Sequence, residues 1–258
     1  MTEKEITDWE KISLGSIFVA NEYFHHHAYE ILNTHKELRD DLTKCLTSEI
    51  QIETRQKKTG SKITKGIKAD VLNKELRKLL LSKLENEVKF EVNEEKGVFY
   101  FSSEKSTIGG FDFAILNHKR NLTSLRNLCF GELHYHEGEK RWEEFLTKNK
   151  NLVKIATKLE GKDKIGVDIE FEKDKETPLI VGEIQFGNWA LAYRDFFKVL
   201  KANVQNSIDC LVYVVPTGNL EKMLSDGIVT FDTSFKILND FSKVISVPVW
   251  VIGLDIKE

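Results

Sequence analysis

The stretch that decides the fold is residues 165–198, IGVDIEFEKDKETPLIVGEIQFGNWALAYRDFFK. Its pattern predicts two acidic strands joined by a polar turn and followed by a helix. Side chains alternate between the faces of a strand, so Glu183 and Gln185 share a face, as do the acidic residues that begin with Asp168. Paired as a hairpin, the two strands would bring Asp168, Glu183 and Gln185 to one point.

This acidic hairpin has the composition of a magnesium site. Mg²⁺ prefers one or two carboxylates together with waters and substrate phosphate oxygens, which makes a phosphodiester the expected substrate. An exposed edge strand would explain the residues around Asp168 on their own. Glu183 and Gln185, however, stand between the apolar run 179–181 and Phe186. Buried carboxylates are rare unless they are paired or ligated, so we favour a functional role.

The rest of the chain has the pattern of an α/β protein. Apolar periodicity predicts helices at 16–47, 67–84, 139–159, 189–201 and 231–245. Strand patterns occur as a hairpin at 87–101, as a strand at 110–116, and as buried strands at 210–215 and 247–254. We therefore expect a mixed central β-sheet sandwiched by helices, an α/β/α core with N-terminal helices.

Length and composition favour one soluble unit. A chain of 258 residues can form a single domain, 1–258, in which 1–85 is a helical, basic part and 86–258 is the α/β core. Three cysteines without paired spacing fit a reducing cytoplasm. No apolar run approaches the roughly 18 residues that a membrane span needs.

Local charge indicates a partner with a phosphate backbone, although the net charge is only -3. Residues 55–83 are rich in Lys and Arg, and Lys62 and Lys65 lie there in a Gly/Ser/Lys loop that precedes a helix. Arg194 and Lys198 follow the second acidic strand on a helix. All four residues are candidates for DNA contacts, against the simpler interpretation of solvated surface cations.

One motif resembles a known family. The run V-D-(x14)-E-x-Q, which ends at Gln185, resembles the PD-(D/E)xK nuclease superfamily, whose motif usually ends in Lys. The text GEIQFGNWALAYRDFFKVL (182–200) is most similar to the BglII and BstYI group of type II restriction endonucleases, which also carry Glu-x-Gln. The similarity extends to LVYVVPTG (211–218) and SVPVWVIGL (246–254) and so covers about the C-terminal third to half of the chain.

The resemblance implies a reaction and roles for the site residues. The enzyme would hydrolyse double-stranded DNA with Mg²⁺ at a short palindromic sequence, leaving 5′-phosphate ends. Asp168, Glu183 and the main-chain carbonyl of Ile184 would bind the metal. Gln185 would orient the attacking water, since an amide has no pKa near neutrality and cannot act as a general base. An additional ligand on the preceding helix has three candidates: Glu143, Glu144 and Asn151.

The same resemblance implies partners. Two-fold symmetric DNA is cut on both strands most simply by a homodimer. A companion DNA methyltransferase in the cytoplasm of a prokaryotic cell is also expected. Two alternatives stay open: a non-catalytic or structure-specific DNA-binding protein of the repair or transposition type, and a zinc hydrolase built on His134 and His136.

Overall fold

One eight-stranded sheet organises the residues that the computed structural model describes, which are 12–92, 110–159, 165–170, 178–204 and 208–257. Its strands in chain order are β1 (Ile12–His25), β2 (Ser48–Thr59), β3 (Lys62–Ile67), β4 (Val88–Val92), β5 (Phe111–Ile115), β6 (Ile180–Ile184), β7 (Cys210–Pro216) and β8 (Val249–Lys257). Their order across the sheet is β3-β2-β1-β8-β7-β6-β5-β4. Strands β6, β7 and β8 are parallel, and the flanking pairs are antiparallel.

Helices cover both faces of this sheet. They are α1 (Ala28–Thr34), α2 (Lys36–Cys45), α3 (Ala69–Lys83), α4 (His118–Phe130), α5 (Gly138–Lys148), α6 (Val153–Ala156), α7 (Leu191–Val204), α8 (Gly218–Met223) and α9 (Phe231–Asp240). Leu76 of α3 belongs to the hydrophobic cluster on one face, and Phe196 of α7 belongs to the cluster on the other. The predicted α/β/α fold class is confirmed.

The central strands carry side chains into both clusters. Every residue of β7 is buried, with Val212 in one cluster and Tyr213 in the other. This continuous burial explains why β7 and β8 read as apolar runs without polar alternation. Helix α7 crosses from β6 to β7, as parallel neighbours require.

The predicted N-terminal helix is wrong over its first part. Residues 12–25 form β1, which pairs with β2 on one side and β8 on the other. The apolar residues Phe18, Ala20 and Phe24 all have even numbers, and this spacing fits a strand as well as a helix. The Gly/Ser/Lys loop is also a strand pair, β2–β3. From residue 12 to residue 85 the chain therefore contributes three strands to the sheet as well as helices α1 to α3, so this part is not wholly helical.

The predicted acidic hairpin is wrong as well. Strand β6 pairs with β5 and β7, and residues 165–170 form no strand. Their backbone bonds instead to α4: the side chain of Asn127 accepts from the Ile169 amide at 2.9 Å and donates to the Ile169 carbonyl at 3.0 Å. The second half of the predicted hairpin 87–101 lies outside the described residues, whereas its first strand is β4.

Two expectations from the composition concern the cysteines and membrane-spanning segments. The three cysteines, Cys45, Cys129 and Cys210, are free and buried. In the described part of the chain, no helix has the length and apolar composition needed to cross a bilayer.

We expect the β5–β6 contact to depend on the absence of a side chain at Gly182. A Cβ atom there would overlap the ring of Phe113 on the neighbouring strand. Gly182→Ala should lower the free energy of unfolding by about 1–3 kcal/mol, as overpacked cores do, measured by urea unfolding. Adding Phe113→Leu should recover part of that loss, and strictly additive effects would contradict the contact.

Candidate active site

The pairing of β5 with β6 brings two carboxylates together. Phe113 lies opposite Gly182, so the antiparallel register places Asp112 opposite Glu183. Asp112 Oδ2 also accepts a hydrogen bond from the Ile184 backbone amide at 2.8 Å. The predicted partner Asp168 does not occupy this place.

Glu183 is held in a buried ion pair. Its side chain reaches towards α7, where Glu183 Oε1 contacts the ammonium of Lys198, and Glu183 is only 5% exposed. The pKa of Glu183 is raised to about 8, chiefly by burial; Lys198 acts to lower this pKa, and the neighbouring carboxylates of Asp195 and Asp112 act to raise it. The predicted role of Lys198 as a surface contact to phosphate is wrong, because its ammonium faces this carboxylate.

Asp112 is compensated from a different helix. Arg77 of α3 donates to Asp112 Oδ1 at 3.1 Å. Burial raises the pKa of Asp112, while the hydrogen bond from Ile184 and the charge of Arg77 lower it. The two carboxylates thus have separate cationic partners, one from each layer of helices.

The amide of Gln185 has a fixed orientation. Its Nε2 donates to Asp195 Oδ2 at 2.9 Å, and its Oε1 accepts from the Gly187 amide at 2.9 Å. Asp195 is fully buried and also accepts a hydrogen bond from the Tyr213 hydroxyl at 3.4 Å. An amide has a second N–H and a second lone pair, which remain for a further partner.

A cleft of about 490 Å³ opens between α3 and the end of β6. Its lining includes Asn73 and Arg77 from α3, and the segment 184–187. Asn73 Nδ2 donates to the Ile184 carbonyl at 3.4 Å, and Asn73 Oδ1 accepts from Arg77 Nε at 2.7 Å. Ile184 and the Asn73 amide therefore line the cleft, and Arg77, which also lines it, connects the cleft to Asp112.

This donor set fits a hard divalent cation. Asp112 and the Ile184 carbonyl offer oxygen atoms, and Mg²⁺ needs only one or two carboxylates when waters complete its shell, whereas Asn73 turns its Nδ2 to that carbonyl and its Oδ1 to Arg77. Within the described ranges, no group of three or more His, Cys, Asp or Glu side chains is placed to hold a metal. His134 and His136 lie in the connection between α4 and α5 and belong to no such group, so the structure does not support the zinc alternative.

Several predicted site residues lie elsewhere. Asp168 Oδ1 accepts from the Glu132 amide at 3.1 Å, just beyond α4. The candidate upstream ligands Glu143, Glu144 and Asn151 are exposed on α5 and the turn after it, and none of them lines the cleft. Asn73 of α3, by contrast, lines the cleft. A single Asp inside the apolar strand FDFAI could have indicated Asp112.

The remaining predicted DNA contacts are surface residues. Lys62 is exposed on the β2–β3 hairpin, and Lys65 beside it is half-buried. Arg194 is 64% exposed and pairs with Asp195 Oδ1 at 3.3 Å. Their positions are compatible with phosphate contacts, which stay a prediction.

An acidic pair on neighbouring strands of an α/β/α sheet, close to a polar cleft, fits a nuclease. The family described as restriction endonuclease BglII/BglIII matches residues 20–254, and the chain belongs to that family. It is a type II site-specific deoxyribonuclease.

Two solved structures also match. Restriction endonuclease BglII complexed with a DNA 16-mer has a TM-score of 0.47 and 13% identity, covering 94% of this chain and 77% of that chain. Free BglII has a TM-score of 0.40 and 11% identity, covering 92% of this chain and 78% of that chain. No curated protein sequence matches the chain.

We expect Glu183 to make stability depend on pH. Its folded-state pKa of about 8 lies above the ordinary 4.5, so folding takes up a proton between these values and stability falls as pH rises. In EDTA, Glu183→Gln should remove this pH dependence, so that between pH 5 and pH 8 the variant loses roughly 1–3 kcal/mol less free energy of unfolding than the wild type. Urea unfolding at both pH values measures this difference. The exposed Glu143→Gln is the control, and equal pH slopes in wild type and Glu183→Gln would contradict the expectation.

Proposed function

We propose that this restriction endonuclease hydrolyses phosphodiester bonds of double-stranded DNA with Mg²⁺, at a short palindromic sequence, and leaves 5′-phosphate ends. The observation that carries the proposal is the placement of Asp112 beside Glu183, with the Ile184 carbonyl at the edge of the cleft. Asp112 replaces Asp168 in this proposal, Ile184 and Gln185 keep the roles expected for them, and Glu183 lies beside the metal position instead of binding the metal.

Each residue has a distinct task in the proposed site. Asp112 and the Ile184 carbonyl would hold Mg²⁺, which would lower the pKa of a water and neutralise charge on the scissile phosphate, and Asn73 would fix the Ile184 carbonyl through its Nδ2. Glu183 would add negative charge beside the metal position. Gln185 contributes hydrogen bonds only, and its contacts with Asp195 and Gly187 keep its amide fixed for orienting a water.

The DNA would lie along the basic side of the cleft. Lys74 and Arg77 line the cleft from α3, and the β2–β3 hairpin that carries Lys62 and Lys65 directly precedes this helix. Such cations neutralise phosphates and position a duplex without reading its sequence. BglII, after which the family is named, was solved in complex with a DNA 16-mer, and this supports DNA as the partner.

The palindromic substrate leads to two further proposals. A homodimer presents one site to each strand, because its two-fold axis coincides with that of the DNA. A companion DNA methyltransferase would protect the same sequence in the cytoplasm of the prokaryotic host, where the nuclease would otherwise cut resident DNA.

Cleavage of a long sequenced phage DNA tests the reaction. With Mg²⁺ the wild-type protein should produce discrete fragments that disappear in EDTA. Asp112→Asn and Glu183→Ala should each lower the cleavage rate more than roughly 100-fold. Loss of an outer-shell partner costs about 10- to 100-fold, and these two carboxylates lie on the metal position or directly beside it. Gel electrophoresis of time courses gives the rates, and the fragment ends give the recognition sequence.

Asp168→Asn is the matched control for Asp112→Asn. Both substitutions remove one carboxylate charge, but Asp168 contacts the Glu132 amide near α4. The Asp168 variant should keep cutting at close to the wild-type rate. If Asp168→Asn stops cutting and Asp112→Asn does not, Asp168 and not Asp112 belongs to the metal site. No cutting by the wild-type protein with any divalent metal would favour the non-catalytic DNA-binding alternative.

Binding to a synthetic duplex in EDTA tests the basic hairpin. Lys62→Ala combined with Lys65→Ala should weaken binding and reduce the slope of log affinity against log salt by roughly one to two, since each phosphate contact contributes about 0.9. Lys148→Ala combined with Lys154→Ala removes the same charge from α5 and α6 and serves as the control. An unchanged salt slope in the hairpin variant would exclude the hairpin from the DNA interface.

A further inference from the structure

An oxygen cage surrounds the ammonium of Lys198. Its Nζ contacts Glu183 Oε1, donates to the Gly110 carbonyl at 2.8 Å and lies 3.6 Å from Asp195 Oδ1. An ammonium has three donors and no acceptor, so this set of three oxygens suits it. Two carboxylates and a main-chain carbonyl are also the ligand types that hard divalent cations take.

The ammonium and the two carboxylates of this cage are buried, whereas Gly110 is exposed. The Lys198 side chain is 8% exposed, and its Nζ lies 4.6 Å from the centre of the Phe111 ring. The partner carboxylates are equally protected, because the side chains of Glu183 and Asp195 are 7% and 0% exposed. Lys198 is thus a positioning residue that acts through Glu183, and its ammonium is not presented to a phosphate in the cleft.

Charge balance explains why a lysine lies there. Buried carboxylates are costly unless cations compensate them, and Asp195 and Asp112 are both close enough to Glu183 to raise its pKa. Arg77 pairs with Asp112, and Arg194 reaches Asp195 from the surface. Lys198 is the ion-pair partner of Glu183 among the described residues.

We propose that Lys198 is a resident cation that takes the place of a second metal ion beside Glu183. The protein would then bind a single divalent ion per chain, at Asp112 and the Ile184 carbonyl. This inference rests on the proposed magnesium site, and it adds that Glu183 is reserved for the ammonium. The lysine arrives from α7, where Asp195 and Lys198 are one helical turn apart and face the same strand.

Counting bound Mn²⁺ tests the proposal without DNA or catalysis. Lys198→Ala removes the ammonium and leaves the oxygens of Glu183, Asp195 and Gly110 around a space that an ion can enter. In an electron paramagnetic resonance titration, this variant should bind one more Mn²⁺ per chain than the wild-type protein. Lys198→Arg keeps the charge and should match the wild-type count.

Two further variants make the count specific. Lys201→Ala removes the same charge from an exposed position of α7 and should leave the count unchanged. Asp112→Asn combined with Lys198→Ala should lose the ion of the wild-type site and keep the added one. Circular dichroism establishes that each variant is folded.

The outcomes separate this inference from the proposed function. Equal Mn²⁺ counts in folded Lys198→Ala and wild type would overturn the inference and leave the magnesium site standing. A wild-type count of two would also overturn it, even where the alanine variant does not fold. A wild-type count of zero would contradict the magnesium site itself, whereas an added ion in Lys198→Ala would still support the role of Lys198.

Discussion

The antiparallel pairing of β5 with β6 is the constraint on which the site depends. It places Asp112 opposite Glu183, where the side chains of the two carboxylates are only 23% and 7% exposed and so are poorly hydrated. Gly182 lets the strands pack around the Phe113 ring one step away. A one-residue slip would turn Glu183 and Gln185 towards the opposite layer of helices, so the register defines the chemistry as well as the fold.

The acidic centre in turn requires the helices that cover it. Arg77 of α3 compensates Asp112 from one side of the sheet, and Lys198 of α7 compensates Glu183 from the other. Asp195 connects the second group to Gln185 through a hydrogen bond of 2.9 Å. Residues on three strands and two helices are therefore coupled through buried charges, and buried ion pairs lose much more when one member is removed than they contribute as a pair.

Features set by local pattern could be predicted from the sequence. The apolar runs of β7 and β8, the amphipathic helix α3 and the polar interruption of β6 by Glu183 all have short-range signatures. Strand β1 was missed because its even-numbered apolar residues fit both periods. Its identity is decided by pairing with β8 at the far end of the chain, which no local window contains.

Asp168 shows the same limit at the site. An acidic strand just before β6 seemed the natural neighbour, because hairpins join segments that are adjacent in sequence. The actual neighbour is β5, which precedes β6 with helices α4 to α6 between them. Segment 165–170 was free to bond to the Asn127 side chain instead. Strand β5 therefore supplies the partner of Glu183 from a distant part of the chain. In such a site, the second carboxylate is better sought as an isolated Asp within an apolar strand than at a fixed spacing from the Glu-x-Gln motif.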